Sequence, residues 1–247
     1  HSMSVNVSSR TPRRMTSNAG WNRRPAKSPA PTRLITIPIA EQSRSMIKAA
    51  FDWTMAAVIL LASWPVLLAG MLAVRLSSPG PVIYTQSRVG RGGRVFTIYK
   101  LRTMYVDCES LTGPRWCVPG DPRITPVGHV LRTLHIDELP QLWNVLRGEM
   151  SLIGPRPERP EICAQLRRAI PGYDRRHVVQ PGITGFAQIH LPPDTSISSV
   201  RNKVTYDRFY IQHRNLRLEL YILICTAFKI VGLRSLYQRK PRRPADD

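Results

Sequence analysis

Residues 55–74 read MAAVILLASWPVLLAGMLAV. Twenty consecutive positions carry no charge, and a helix of that length matches the hydrocarbon thickness of a bilayer. Pro65 falls near the middle of the run, where it removes a helical hydrogen bond and bends the helix. Basic residues stand on both sides, Arg44 and Lys48 before it and Arg75, Arg88, Arg91 and Arg94 after it. A simple span gathers its positive charge mainly on one side. A helix that enters the membrane, breaks at Pro65 and returns to the same face satisfies both observations. A full span and the buried core helix of a soluble protein are the alternatives.

The 247 residues suffice for one domain with a real core plus appendages, and the net charge of +20 points to polyanions as partners: nucleic acid, anionic lipid or phosphorylated substrates. Residues 1–45 read as a disordered basic tail, rich in Ser, Pro, Arg and Asn, whose charge suits an anionic membrane surface; His1-Ser2-Met3 reads as a tag remnant. Residues 46–76 hold the apolar helix with its expected break, 77–235 the main folded domain, and 236–247 a second basic tail. Cys108, Cys117, Cys163 and Cys225 are scattered without a CxxC, as expected of reduced structural thiols.

In residues 81–105 the runs VIYTQ and VFTIYK bracket Gly90-Arg91-Gly92-Gly93, the pattern of a β-hairpin with a tight turn. No helix follows those glycines and no GKS/T appears, which disfavours a phosphate loop. A helix is expected over 137–147, with Leu139, Leu142, Trp143 and Leu146 on its apolar face and Asp137 as N-cap. Another covers about 158–170. Residues 180–188 form a turn leading to a short strand, and 197–213 and 216–233 are two further helices. The last of these suits either the membrane interface or ordinary packing on the core. The fold class is α/β, mostly helical with a small β-hairpin.

The chemistry concentrates in residues 131–157, LRTLHIDELPQLWNVLRGEMSLIGPRP. Asp137 and Glu138 stand side by side at a helix start, where free N–H groups and a partial positive charge favour phosphate. Arg132 offers a fork of donors for phosphate oxygens, and Arg156 is held between two prolines. An ionised carboxylate attacks phosphorus without a base, while a neighbouring one holds a hard cation such as Mg²⁺. Lys100 and Arg102, at the end of the second hairpin strand, are either a second basic arm for the same phosphates or a solvated strand end.

On these residues the chain resembles the bacterial sugar transferases that act as monotopic phosphoglycosyl transferases, the undecaprenyl-phosphate sugar phosphotransferases, in their compact form. The resemblance runs from about Met46 to Gly232. Its landmarks are Phe51-Asp52, Pro65, Ser78-Pro-Gly-Pro81, Gln86-Ser-Arg88-Val-Gly90, Tyr99-Lys-Leu-Arg-Thr-Met104, Asp137-Glu138-Leu-Pro-Gln-Leu-Trp-Asn144, Gly154-Pro-Arg-Pro157 and Pro181-Gly-Ile-Thr-Gly-Phe-Ala-Gln188. Each is weak alone; their order and spacing are specific.

The resemblance implies a re-entrant helix broken at Pro65 in the bacterial inner membrane and a catalytic domain on the cytoplasmic face. It implies that Asp137 attacks the β-phosphorus of a UDP-sugar and releases UMP. Glu138 is implied to bind Mg²⁺ bridging the diphosphate, and the phosphosugar on Asp137 then passes to undecaprenyl phosphate, a first membrane step of exopolysaccharide or glycoconjugate synthesis. Lys100, Arg132 and Arg156 match basic positions of the phosphate site. Membrane lipid is an implied partner, and a homo-oligomer is compatible with the resemblance. The chain departs from the family pattern at Trp64, where many relatives have Ser before the proline, at Gln180, and at His190-Leu-Pro-Pro-Asp194.

Two other classes remain for comparison. A basic protein that binds nucleic acid or lipid without catalysis suits the net charge, but its basic runs are not interleaved with aromatics as in single-strand binders, so nucleic acid is not an expected partner. A glycosyltransferase would release UDP in place of UMP.

Overall fold

The computed structural model describes residues 39–109 and 120–233. Both predicted basic tails fall wholly or mostly outside them, as does Cys117. The first element, α1 (Ile39–Ser77), is a 39-residue helix that begins inside the expected tail and carries the whole apolar run. It continues through Pro65 as one helix, so the expected break does not interrupt it. Proline deletes one N–H and crowds one carbonyl. Here the helix is held on both sides of that defect. Before Pro65, Asp52 and Ala56 are buried, and after it Leu67 and Val74 are. These positions recur at helical spacing and form one face against the body of the protein. The opposite face exposes Trp53, Leu61 (82%), Trp64, Leu72 and Leu76. A soluble core helix would bury these side chains; their exposure is consistent with a monotopic membrane protein.

Each flank of α1 is fastened to the same body. Near the start, Lys48 Nζ reaches Asp52 at 2.7 Å, Ser151 Oγ at 3.0 Å and Glu219 at 3.3 Å. Near the end, Gly70 packs closely on the body: a Cβ there would lie 3.0 Å from the Leu101 side chain and 3.3 Å from that of Ile136.

The hairpin forms as read. Strands β1 (Ile83–Val89) and β2 (Val95–Leu101) pair antiparallel, Ile83 opposite Leu101 and Val89 opposite Val95. Gly92 and Gly93 at its tip have φ of 65° and 78°, which a side chain would strain. Helix α2 (Pro126–Thr133) has no counterpart in the sequence reading. Its signal is Thr125-Pro126, an N-cap followed by a proline at the first helical position. The buried Thr125 hydroxyl accepts from Gly128 N at 2.9 Å. Thr125→Ala is therefore expected to lower stability by about 1 kcal/mol, read as a fall in the denaturation midpoint; an unchanged midpoint would show that the cap is dispensable.

The helix expected over 137–147 is in fact two pieces. A 3-10 turn spans Ile136–Glu138, and α3 (Gln141–Leu146) follows. Asp137 is not an N-cap; the turn is entered from His135 in the left-handed region, φ 55°. Trp143 is 52% exposed and does not belong to the buried face, which is Gln141, Leu142, Asn144 and Val145. The periodicity misled because a polar residue takes a core position. Asn144 accepts from Tyr99 N at 3.2 Å and donates to Thr97 O and Glu149, each at 2.7 Å, which ties α3 to β2.

Next come β3 (Ser151–Ile153), α4 (Pro160–Ala169), β4 (Gly182–Thr184), α5 (Phe186–His190), α6 (Ile197–His213) and α7 (Leu216–Ile230). The two short strands pair in parallel, Ser151 opposite Gly182 and Ile153 opposite Thr184. They approach so closely that a Cβ on Gly182 would sit 2.0 Å from Gly154 N, inside van der Waals contact with backbone. Around this pair lies the main core, with Ala56 of α1, Ile98 of β2, Leu142 and Val145 of α3, Leu152 of β3 and Ile222 of α7. α1 is thus a structural member of the domain it anchors.

Candidate active site

One cavity of about 950 Å³ opens beside the 3-10 turn Ile136–Glu138. Its polar wall includes Lys100, Arg132, Asp137, Glu138 and Arg156, drawn from β2, α2, the turn and the Gly154–Pro157 loop. Lys100 and Arg156 come from segments well separated in sequence from the stretch that carries Arg132, Asp137 and Glu138, and the fold gathers them.

The two carboxylates differ sharply. Glu138 is clamped: Lys100 Nζ lies 2.7 Å from Oε1, and the Arg156 guanidinium donates to both carboxylate oxygens. Burial pushes the Glu138 carboxyl up, but Arg156 and Lys100 outweigh it and hold it well below the usual carboxylate range. Burial pushes the Lys100 ammonium down, against the pull of Glu138. Asp137, only 6% exposed, receives no hydrogen bond on its carboxylate among the described residues. Burial pushes its pKa up to about 6; Lys100 and the two nearby arginines pull down, and Glu138 pushes up.

Arg156 is positioned from behind. Its carbonyl accepts from Arg176 NH2 at 3.0 Å, and Arg176 pairs with Asp207 at 2.8 Å and donates to Tyr173 OH at 2.9 Å. Arg176 and Asp207 are 1% and 3% exposed at their side chains. Neither was singled out in the sequence, because an arginine and an aspartate 31 residues apart carry no local signal.

Arg132 donates from Nε to Thr103 Oγ1 at 2.8 Å and adds positive potential at Asp137. Arg102 has partners of its own. It donates to Pro79 O at 2.9 Å, Ser78 O at 2.6 Å and Ser78 Oγ at 2.9 Å, so it braces the exit from α1. Arg102 lines the same cavity, with its two terminal nitrogens bonded to the backbone carbonyls of Ser78 and Pro79. Pro65 lies outside the cavity lining.

Several lining residues escaped the sequence reading. Glu158, directly after the Gly-Pro-Arg-Pro turn, sits 3.7 Å from Arg88 and 3.4 Å from Lys203. Lys203 also pairs with Asp194. The segment from Leu191 to Asp194, where the chain leaves the family pattern, is thereby fixed as part of the cavity wall.

Among the described residues no three His, Cys, Asp or Glu side chains converge on a metal position. A hard cation that takes one or two carboxylates and completes its shell with substrate phosphate and water fits the Asp137-Glu138 pair without such a cluster.

A family model described as bacterial sugar transferase matches residues 43–232. The UDP-N-acetylgalactosamine-undecaprenyl-phosphate N-acetylgalactosaminephosphotransferase of Aeromonas hydrophila is 43% identical over 182 residues, 74% of this chain and 43% of that protein. The UDP-glucose:undecaprenyl-phosphate glucose-1-phosphate transferase of Xanthomonas campestris pv. campestris is 38% identical over 192 residues, 77% of this chain and 40% of that protein. A protein of the same description from Caulobacter vibrioides is 38% identical over 214 residues, 83% of this chain and 79% of that protein. The chain thus spans less than half the length of the first two relatives.

Proposed function

Because the chain belongs to the bacterial sugar transferase family, we propose that it moves a sugar 1-phosphate from a UDP-sugar to undecaprenyl phosphate at a membrane surface. The contrast between its two adjacent carboxylates carries this reading. Glu138 is pinned by two cations, while Asp137 lines the cavity with no hydrogen bond on its carboxylate among the described residues.

In the first step an Asp137 carboxylate oxygen attacks the β-phosphorus of the donor. The bond from that phosphorus to the bridging oxygen breaks, and UMP leaves with the electron pair. In the second step a phosphate oxygen of undecaprenyl phosphate attacks the same phosphorus, the acyl phosphate bond breaks and the Asp137 carboxylate is regenerated. Neither step needs a base to create the nucleophile. Lys100, Arg132 and Arg156 surround the reacting phosphates with fixed positive charge, which stabilises charge shifting onto the leaving oxygen. Glu138 would hold Mg²⁺ together with diphosphate oxygens, and the ion would supply further neutralisation of the leaving group.

The reading extends to topology. Both flanks of the apolar run are fastened to one body, which suits a domain seated on a single face, here the cytoplasmic face of the bacterial inner membrane. The names of the Aeromonas and Xanthomonas relatives give the donors to try first, UDP-N-acetylgalactosamine and UDP-glucose.

The test is the nucleotide released. Purified protein with Mg²⁺, a UDP-sugar and no lipid should give a burst of UMP close to one per active site, and added undecaprenyl phosphate should convert the burst to turnover. Release of UDP would identify a glycosyltransferase and overturn the proposal.

A further inference from the structure

The cavity lining is chemically mixed. Part of it is the charged wall around Asp137. Another part comes from α7, which contributes Leu223, Thr226, Lys229 and Ile230. Leu223, Thr226 and Ile230 fall at spacings of three, four and seven, so they form a single stripe along one side of the helix. The stripe is about 10 Å long at 1.5 Å per residue. At its inner end Leu223 packs on the main core. Thr226 is neutralised as a polar group: its hydroxyl lies 2.7 Å from Thr184 Oγ1 and 2.8 Å from Ile222 O. At the outer end Ile230 is 42% exposed, so the cavity reaches the surface there.

The surface around that mouth is apolar. Next to Ile230, just past the end of α7, Val231 and Leu233 are exposed. A cleft built only for a water-soluble, highly charged nucleotide sugar gains nothing from an apolar stripe ending in an apolar rim. A substrate with a phosphate at one end and a long hydrocarbon at the other needs both, in that order. Lys229, also in the lining, donates to Gln188 O at 2.9 Å and ties α7 to the segment carrying β4 and α5.

We infer that the hydrocarbon tail of the lipid acceptor lies along the Leu223–Thr226–Ile230 stripe of α7, entering at Ile230 with its phosphate directed inward to Asp137. This rests on the acceptor proposed above and adds a binding site for its tail.

The experiment separates the two half-reactions. Ile230→Glu places a charge at the mouth; Leu216→Glu places the same charge on the same helix, away from the cavity. Both variants and the unaltered protein are assayed in nanodiscs for the UMP burst from UDP-sugar alone, and for turnover against undecaprenyl phosphate and against the short-tailed geranyl phosphate. Ile230→Glu should keep the full burst and raise the KM for undecaprenyl phosphate about tenfold or more, with a much smaller effect on geranyl phosphate. Leu216→Glu should leave the acceptor KM within about twofold, well below one tenfold step. An unchanged KM in Ile230→Glu, or equal rises in both variants, would overturn the inference, since α7 would then act only as a surface lying on the membrane. Absence of a UMP burst in the unaltered protein would instead remove the underlying reaction, and the acceptor site with it.

Discussion

Asp137→Asn is expected to abolish turnover and, above neutral pH, to make the protein more stable. The amide keeps the shape of the side chain but cannot attack phosphorus. Loss of a nucleophile typically removes activity by about 10⁴-fold or more. The burst of UMP and any phosphosugar adduct should vanish together. The stability change has the opposite sign because the native state holds the Asp137 proton more tightly than the unfolded chain does. Its pKa rises from 3.8 to about 6 on burial. The protonated carboxyl is therefore tolerated below pH 4, and that contribution is lost as pH rises through about 6. At pH 8 the buried ionised form weakens the fold by an amount on the order of 3 kcal/mol, from the size of the shift. Asn carries no such charge. Melting curves without divalent cation should place the variant above the unaltered protein at pH 8, with the gap closing toward pH 4. A variant that still releases UMP would disprove covalent catalysis by Asp137, and one that melts lower at pH 8 would disprove the electrostatic account.

The second large effect concerns Asp207. Asp207→Ala leaves the Arg176 guanidinium buried and missing its carboxylate, and removing one partner of a buried pair costs about 3–5 kcal/mol. The damage should also reach the site, because Arg176 carries the carbonyl of Arg156. Residual folded protein should show a raised KM for the UDP-sugar. The double change Asp207→Ala with Arg176→Met removes the stranded charge and should recover a large part of the lost stability. A single variant within 1 kcal/mol of the unaltered protein in denaturant titration would mean that water or another carboxylate satisfies Arg176.

What was legible in the sequence follows the range of the interactions involved. The hairpin, α4, α6 and α7 announce themselves through local periodicity and turn residues, and all four form close to their expected limits. Asp137, Glu138, Lys100 and Arg156 were singled out by residue type, and the fold brings them to one cavity wall. The missed features depend on distant partners. β3 is three residues long and gains its identity only from β4, the short strand that was expected within residues 180–188. Asn144 reads as surface until β2 supplies the groups it bonds. Arg102 looks the same in sequence whether it faces a phosphate or two carbonyls of the chain. The continuity of α1 through Pro65 likewise depends on the body packed against both of its halves.

That packing has a mechanical consequence. Many membrane-attached enzymes hang from a flexible tether and sample a range of heights and tilts. Here Lys48 joins α1 to β3 and α7, and Gly70 is pressed against Leu101 at the end of β2, the residue next to Lys100. Anchor and reaction chamber therefore move as a single stiff piece. With the exposed face of α1 set in a bilayer, as proposed above, any thinning or curvature that tilts α1 would tilt the carboxylate pair with it, and the composition of the surrounding lipid would then control how the cavity is presented.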